Sequence, residues 1–322
     1  MSKVELSIII INYKTPDLTI QCLNSIYKST ESINFEIIVV DNFSEDNSLE
    51  IISKKFKDVI CIQMDYNSGF ARANNEGIKK SNGKYILFLN SDTIIFNDVL
   101  SESIKKYEKL KKEYKVGLFG CKLLNIDNTV QYSISESFPG YKDVLKANPL
   151  YIFISKFLGL NIKKVHLNNH NYNHFTKWLG GAFLLCEKKI VQEENEFFNP
   201  KFFMYSEDVE IAYRLFKKGY KHFFWAEKSI THLGGGSFNK KNEQKLGQII
   251  ISNWLFIQIA KGKLSFEIYF TLIKFNLYLD SILDKNYRNS SEYILRKSLI
   301  KFFNKRVKIM NDKSFFKYSE NF

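Results

Sequence analysis

Cysteine and proline are both scarce in this chain, and the cysteines are scattered. Four cysteines and four prolines occur in 322 residues, and Cys22, Cys61, Cys121 and Cys186 lie far apart in the sequence. Without a CxxC pair or a cysteine–histidine cluster, neither a zinc site nor a disulfide framework is predicted. We therefore expect the protein to reside in a reducing, cytosolic environment.

Long uncharged apolar runs are also missing. No stretch approaches the ~18 apolar residues that a membrane-spanning helix needs. The amino-terminal sequence carries Glu5 before an apolar run of only about six residues, which is too short for the hydrophobic region of a signal peptide. We expect a cytoplasmic protein, with any membrane contact confined to the inner surface of the cell membrane.

Negative charge is in short supply. The chain has 47 Lys and Arg against 34 Asp and Glu, a net charge of +13, and residues 239–322 alone hold 16 basic and 7 acidic side chains. Such an excess indicates acidic partners, whether nucleic acid, anionic lipid or phosphorylated small molecules. No basic stripe across a sheet and no RNA- or DNA-binding motif is visible, which argues against nucleic acid.

The first half of the chain alternates buried-strand patterns with helical ones. Such alternation predicts an α/β fold with a doubly wound, mostly parallel sheet and right-handed crossovers. The predicted strands are 6–11, 35–40, 59–64, 85–89 and 116–124, and the predicted helices are 15–27, 44–56, 70–80, 99–112 and 208–219.

Two parts of the chain depart from this alternation. Residues 125–173 are irregular and indicate an insertion or a lid within a catalytic domain of residues 1–238. Residues 239–322 interleave aromatic and aliphatic residues with lysines at helical spacing, which predicts a basic helical tail.

Two polar positions follow the first two predicted strands. Tyr13 and Asp41 lie at adjacent carboxyl ends, where a ring can stack on a base and a carboxylate can accept from its N–H groups or from a ribose hydroxyl. Alternatively, Tyr13 is a strand-edge aromatic and Asp41 a helix cap. The GxGxxG and GxxxxGK[ST] sequences are absent, which argues against a dehydrogenase and a P-loop enzyme.

The third strand is followed by a segment suited to phosphate binding. Gly69 lets the backbone approach a ligand, the following helix offers N–H groups, and Arg72 adds positive charge. Asn67 and Asn75 complete this candidate segment. The alternative is an Asn-Ser-Gly turn with a surface arginine.

Asn90, Ser91 and Asp92 end the apolar run 85–89. A carboxylate at the carboxyl end of a buried strand lies where open α/β sheets bind ligands. Strands also end in such residues simply to make a turn.

Two acidic residues and a histidine appear later in the chain. Glu207 and Asp208 follow four bulky apolar residues, where one carboxylate can be tuned as a general base; capping of a helix is the structural alternative. His232 precedes three glycines, and an imidazole beside a carboxylate is a reasonable ligand set for a divalent metal.

Taken in order over residues 4–238, these segments resemble the inverting glycosyltransferases of family two, which have the GT-A fold, and especially their rhamnosyltransferase-like members. The matching stretches are 6–13, 39–42, 67–77, 87–93, 178–183, 203–219 and 232–237. The tail lies outside the resemblance.

The resemblance implies a nucleotide-diphosphate sugar donor and Mg²⁺ or Mn²⁺. Residues 90–92 stand where the family has its DXD motif, so Asp92 would hold the metal with His232, while Asn90 replaces the first aspartate and removes one charge. Glu207 and Asp208 match the ED motif, whose aspartate is usually assigned as the base. The other implied contacts are Tyr13 and Asp41 with the base, Gly69 to Asn75 with ribose and phosphates, and Trp178, Gly180, Gly181 and Ala182 with the sugar and acceptor.

Donor and acceptor stay open at this point. dTDP-rhamnose is the first expectation from overall similarity, with UDP-hexoses and galactofuranose as alternatives, and a glycan or lipid-linked glycan of a bacterial surface polysaccharide as acceptor. The tail is expected either to contact an anionic membrane or to form a homodimer. The rival functions are a sugar nucleotidyltransferase, which ordinarily has a glycine-rich basic loop that residues 12–16 lack, and a non-enzymatic nucleic-acid- or membrane-binding protein.

Overall fold

The computed structural model describes residues 4–146, 148, 167–234, 242–284, 286–309 and 317. Most of the predicted lid (149–166), the glycines after Gly234 and the aromatic pair Phe315 and Phe316 lie outside the described residues. The chain divides into two units. The sheet unit comprises residues 1–137, 167–200 and 207–239, and the helical unit comprises 138–166, 201–206 and 240–322.

The sheet unit contains eleven strands within the described residues. They are β1 (Leu6–Asn12), β2 (Phe35–Asp41), β3 (Ile60–Gln63), β4 (Tyr85–Asn90), β5 (Thr93–Ile94), β6 (Val116–Leu124), β7 (Ile134–Ser135), β8 (His174–Thr176), β9 (Trp178–Leu179), β10 (Phe183–Glu187) and β11 (Lys221–His232). The main sheet has the order β3-β2-β1-β4-β10-β6-β11-β5 with β8 beside β11, and β7 pairs with β9 separately.

The helices of the sheet unit follow the strands. They are α1 (Pro16–Ser29), α2 (Ser48–Lys55), α3 (Gly69–Lys80), α4 (Val99–Lys111), with α6 (Lys188–Gln192) and α7 (Glu207–Lys217) later in the chain. The helical unit holds α5 (Tyr141–Lys146), α8 (Asn242–Lys261), α9 (Lys263–Leu283) and α10 (Ser291–Ile309).

The predicted α/β fold is confirmed. Strands β1, β2, β3 and β4 are parallel to one another, and the side chains of β1 and β4 are buried almost throughout because helices cover both faces. One close approach depends on glycine: a Cβ at Gly77 in α3 would lie 2.5 Å from the Ile9 Cγ2 atom of β1.

One local prediction needs correction. The second helix begins at Ser48 and not at Ser44, because the Ser44 N–H and hydroxyl both donate to the Asp41 carboxylate and hold the chain in a turn. The sheet also contains β10, which is antiparallel to both β4 and β6. The apolar pattern of this strand carries no information on its direction.

The helical tail is present, and its aromatic residues mostly build a core. Trp254 lies 5.1 Å from Phe270 and 5.5 Å from Phe303 between ring centroids, and all three are buried. Phe275 and Tyr278 on α9 are instead 47% and 60% exposed. Among the helices that the structure describes, none is long and apolar enough to cross a membrane.

Candidate active site

Asp92 and His232 meet at the carboxyl edge of the sheet although they are distant in sequence. The pairing of β5 with β11 sets His232 opposite Thr93, and the Leu233 N–H donates to the Asp92 carbonyl at 2.8 Å. As a result, His232 Nε2 lies 3.2 Å from Asp92 Oδ1 and 3.2 Å from Asn90 Nδ2. Ser91 is buried in the same turn. The structure thus brings together the residues predicted around the metal.

Gln131 contacts the other side of the His232 ring. Its Oε1 lies 2.8 Å from His232 Nδ1, and its Nε2 donates to the His232 backbone carbonyl at 2.6 Å and to Asn125 Oδ1 at 2.7 Å. This residue could not be predicted from the sequence because it lies in the segment predicted to be irregular. A glutamine after a turn has no motif or periodicity that would reveal such a role.

The side chains at this edge of the sheet could provide a divalent cation with only a few protein ligands. The described residues contain no group of three or more His, Cys, Asp and Glu side chains suited to a metal. Asp92 and His232 therefore offer two protein ligands, a carboxylate oxygen and an imidazole nitrogen. Mg²⁺ in nucleotide enzymes keeps waters and substrate phosphates and takes only one or two carboxylates from the protein, so Asp92 fits such an ion, whereas the His232 imidazole is a ligand more typical of transition metals.

Asp208, the predicted base, is linked to this edge of the sheet through two consecutive residues. Asp208 Oδ2 accepts from the Gly181 N–H at 3.0 Å, and the next residue, Ala182, accepts from the Asn90 N–H through its carbonyl at 3.1 Å. Gly180 donates its N–H to the Ser133 carbonyl at 2.7 Å. The segment predicted to shape the sugar and acceptor site therefore joins the predicted base to the predicted metal turn.

Trp178 lies at the start of this segment. It pairs with Ser135 through β9 and β7, and its ring centroid is 6.3 Å from that of Tyr132. Strand β9, which holds Trp178 and Leu179, therefore directly precedes the segment 180–182.

Glu207 and Asp208 open α7 and differ in their surroundings. Burial raises the pKa of Asp208, while N–H donors from Val209 and Gly181 lower it. For Glu207, burial and the negative charge of Asp208 raise the pKa well above its ordinary value, and its Oε2 has no hydrogen-bond partner in the described part of the chain. The pKa of both carboxyls is therefore raised, and Glu207, which has the larger rise and no hydrogen-bond donor at Oε2, holds a proton more firmly than Asp208 does.

Asp41 lies at the neighbouring strand end, but its carboxylate is already saturated. Oδ1 accepts from the Ser44 N–H and from Gln63 Nε2, and Oδ2 accepts from Asn12 Nδ2 and the Ser44 hydroxyl. A nucleotide base would reach Asp41 only by replacing one of these donors, and Gln63 is the exposed one. Tyr13 is half-buried beside this network.

The predicted phosphate segment forms the start of α3. Gly69 has φ +80°, the left-handed conformation that glycine adopts without strain. Asn42 holds the turn, since its Oδ1 accepts from the Ser68 N–H and its Nδ2 donates to Asn67 Oδ1. Gly69 and Asn67 therefore lie in an ordered turn at the sheet edge.

Arg72 and Asn75 make hydrogen bonds within the protein that could not be predicted from the sequence. The Arg72 Nε donates to the Pro200 carbonyl and its Nη1 to the Tyr66 hydroxyl, both at 3.0 Å. Asn75 donates to the Phe198 carbonyl at 2.7 Å and accepts from the Phe198 N–H at 3.0 Å. These side chains tie α3 to the loop before α7, so we expect Asn75 to support the wall of the site and not to contact phosphate.

Comparison with known proteins gives consistent similarities. Residues 7–166 match the family model described as Glycosyl transferase family 2. The chain is 36% identical over 129 residues to a poly(ribitol-phosphate) beta-glucosyltransferase of Bacillus spizizenii, covering 38% of this chain and 20% of that protein. It is 37% identical over 97 residues to the Escherichia coli UDP-Glc:alpha-D-GlcNAc-diphosphoundecaprenol beta-1,3-glucosyltransferase WfaP, covering 28% of this chain and 39% of that protein.

A solved structure shares the fold. The structure of S. aureus TarS 1-349 has a TM-score of 0.53 at 15% identity and covers 93% of this chain and 79% of that one; the same fragment has also been solved in complex with UDP-GlcNAc. The two curated relatives are matched over only 20% and 39% of their lengths. The likeness to TarS therefore shows the GT-A type of fold, and the match to the family 2 model is confined to residues 7–166.

Proposed function

Because residues 7–166 match the glycosyltransferase family 2 model, we propose that this protein transfers a sugar from a nucleotide-diphosphate donor to a hydroxyl of a bacterial surface glycan, with inversion at the anomeric carbon. One observation carries the proposal. Gly181 and Ala182 hydrogen-bond to Asp208 on one side and to Asn90 on the other. The proposed general base and the proposed diphosphate-binding turn are thereby hydrogen-bonded to one short segment, and in-line transfer depends on such fixed relative positions.

Asp208 is the base in this proposal. It takes the proton of the acceptor hydroxyl while that oxygen bonds to the anomeric carbon, and the bond from this carbon to the donor phosphate oxygen breaks. The nucleoside diphosphate leaves with the electron pair of that bond. Glu207, which retains its own proton, limits the negative charge beside Asp208 and so keeps the pair singly charged.

Asp92 and His232 are proposed to hold Mg²⁺ or Mn²⁺. When bound, the cation supplies positive charge that neutralises the diphosphate leaving group. The two residues offer one oxygen and one nitrogen ligand 3.2 Å apart, and donor phosphates and waters would complete the coordination.

The donor is proposed to be a nucleotide-linked hexose. dTDP-rhamnose remains the expectation from the overall resemblance to rhamnosyltransferase-like proteins. UDP-Glc is named for the E. coli relative and UDP-GlcNAc for a solved complex of TarS, so both are further candidates. The acceptor is proposed to be a glycan or a lipid-linked glycan, since the E. coli relative is named for a diphosphoundecaprenol acceptor.

A panel of sugar nucleotides tests the function. We expect thermal stabilisation by one donor in the presence of Mn²⁺ and slow release of its nucleoside diphosphate by hydrolysis. Asp208→Asn should abolish release while donor binding survives, and Asp92→Ala should remove the metal-dependent part of donor binding. Asp58→Asn, at an exposed position before β3, is the matched control. Normal turnover by Asp208→Asn would refute the assignment of the base.

The helical tail is proposed to bring the enzyme to an anionic membrane. Arg296, Lys297 and Lys301 are exposed along α10, and each basic residue near an anionic surface contributes about 1 kcal/mol of attraction. We expect the full chain to float with vesicles containing phosphatidylglycerol and not with neutral vesicles. Lys297→Glu with Lys301→Glu should abolish flotation; a dimer in solution with no flotation would favour the homodimer instead.

A further inference from the structure

We propose that Gln131 is a positioning residue that fixes the His232 ring with a protonated Nδ1 and with the lone pair of Nε2 directed at Asp92. The inference rests on the proposed function in one respect, since it makes Asp92 and His232 a preorganised cation site. Gln131 itself contacts neither donor nor acceptor in this scheme.

The orientation of the Gln131 amide is determined by a backbone group. Its nitrogen lies 2.6 Å from the His232 carbonyl oxygen, and a carbonyl oxygen accepts hydrogen bonds but never donates them. The atom at that position must therefore be the Nε2 donor. The opposite amide atom, which faces His232 Nδ1 at 2.8 Å, must be the oxygen.

A second set of contacts fixes the same orientation independently. The Thr129 hydroxyl donates to Asp127 at 2.6 Å, so it accepts from Asn125 Nδ2 at 2.8 Å. Asn125 then presents its Oδ1 to Gln131, which donates to it at 2.7 Å. The hydrogen bonds thus run in one direction from His232 through Gln131, Asn125 and Thr129 to Asp127. Reversing the Gln131 amide would oppose both of its neighbours.

This orientation determines the tautomer of His232. Because Oε1 of Gln131 only accepts, Nδ1 must carry the hydrogen, and the neutral ring then has its lone pair at Nε2. That nitrogen lies 3.2 Å from Asp92 Oδ1 and 3.2 Å from Asn90 Nδ2. A lone pair and a carboxylate oxygen therefore face each other across a gap that a cation would bridge.

The turn that presents Gln131 is itself well supported. Residues Leu124 and Val130 form a β-bridge, and the Gln131 N–H donates to the Leu123 carbonyl at 2.9 Å. The backbone of Gln131 is thus hydrogen-bonded to the end of β6, beside β11, and its side chain reaches the His232 ring from there. Partners of this kind, placed behind a metal-binding histidine, typically change metal affinity 10–100-fold when removed.

The test measures the tautomer and the metal separately. Long-range ¹H–¹⁵N NMR correlations of the five histidines, with His232→Asn used for assignment, should show the Nδ1–H tautomer at His232 in metal-free protein. Gln131→Met, which keeps the length of the side chain but makes no hydrogen bond, should shift this ring toward Nε2–H. It should also weaken Mn²⁺ binding about 10–100-fold in an EPR titration with UDP present.

Two further variants separate positioning from general damage. Gln131→Glu keeps an acceptor at Nδ1 and should retain the Nδ1–H tautomer, whereas its other oxygen would face the His232 carbonyl and Asn125 Oδ1 and should lower the melting temperature of the protein. Gln192→Met, at an exposed position on α6, should change neither.

The results that overturn the inference are distinct from those that overturn the function. An Nε2–H tautomer in the wild-type protein would refute it, and this measurement needs no variant to fold. Unchanged Mn²⁺ affinity in Gln131→Met would also refute it. Failure of the proposed function shows differently, as a wild-type protein with the expected tautomer that releases no nucleoside diphosphate from any donor of the panel.

Discussion

The substitution Glu207→Gln should stabilise the protein, and the gain should increase with pH. Glu207 is 5% exposed, its Oε2 has no hydrogen-bond partner among the described residues, and burial together with the Asp208 charge raises its pKa well above the ordinary value. In the unfolded chain the Glu207 carboxyl group loses its proton at about pH 4.3, whereas in the folded protein it keeps the proton to higher pH. Between the two pKa values the folded state binds more protons, so stability falls as pH rises.

The size of the effect follows from the proton count alone. One retained proton lowers the free energy of unfolding by at most about 1.4 kcal/mol for each pH unit between the two pKa values. The neutral glutamine amide carries no such dependence. From about pH 5 to about pH 7, the advantage of Glu207→Gln over wild type should therefore grow by up to about 2.7 kcal/mol, a gain in Tm on the order of 5 °C.

Thermal unfolding followed by circular dichroism at several pH values measures this difference. Glu113→Gln, at an exposed position after α4, provides the matched control whose difference from wild type sets the baseline. If the Tm difference between Glu207→Gln and wild type stays constant over this pH range, or decreases as pH rises, the argument for a buried proton on Glu207 is wrong.

Three other changes probe the fold. Gly77→Ala should destabilise the protein by about 1–3 kcal/mol in urea unfolding, because the new methyl would meet Ile9 at 2.5 Å; a neutral effect would show that α3 moves freely on the sheet. Asp41→Asn should cost about 1–3 kcal/mol in the same assay, since the new amide donor would face existing donors in a buried network, and an unchanged midpoint would contradict that network. Deletion of residues 240–322 should leave little soluble monomer on size exclusion. The deletion removes most of the helical unit but leaves behind earlier parts of that unit, such as the segment around Phe138; a stable monomer would show that the sheet unit folds without the helical unit.

The parallel part of the sheet could be predicted because its strands are buried on both faces. The run Ile8–Ile11 in β1 is continuously apolar and β-branched, and the helix that follows this strand begins at Pro16. The antiparallel strand β10 could not be placed in the same way. Its position between β4 and β6 depends on the return path of the chain, which local patterns do not specify.

Candidate site residues can be named from the sequence where a residue type carries chemistry and follows a strand or opens a helix. Asp92 and Asp208 are candidates on that basis. Gln63 and Gln131 are not, because each is a neutral side chain whose only distinction is the group that the tertiary structure sets beside it. Asn75 shows the converse: it lies in a recognisable segment, yet its amide pairs with the backbone of Phe198.

The same hydrogen bonds give a physical reason for asparagine at position 90. If Nε2 of His232 bears a lone pair, the group 3.2 Å away at residue 90 should be a donor, and the Asn90 amide is one. An aspartate at position 90 would place its carboxylate beside that of Asp92 and beside the lone pair of His232 Nε2. All three groups are hydrogen-bond acceptors, so none could donate to another. Asn90 thus gives up one negative charge and in return holds the His232 ring from the side opposite Gln131. In this hypothesis the turn is ordered before any cation binds; a cation would replace the Asn90 N–H at the lone pair of Nε2, and Asp92 would supply the charge that attracts it.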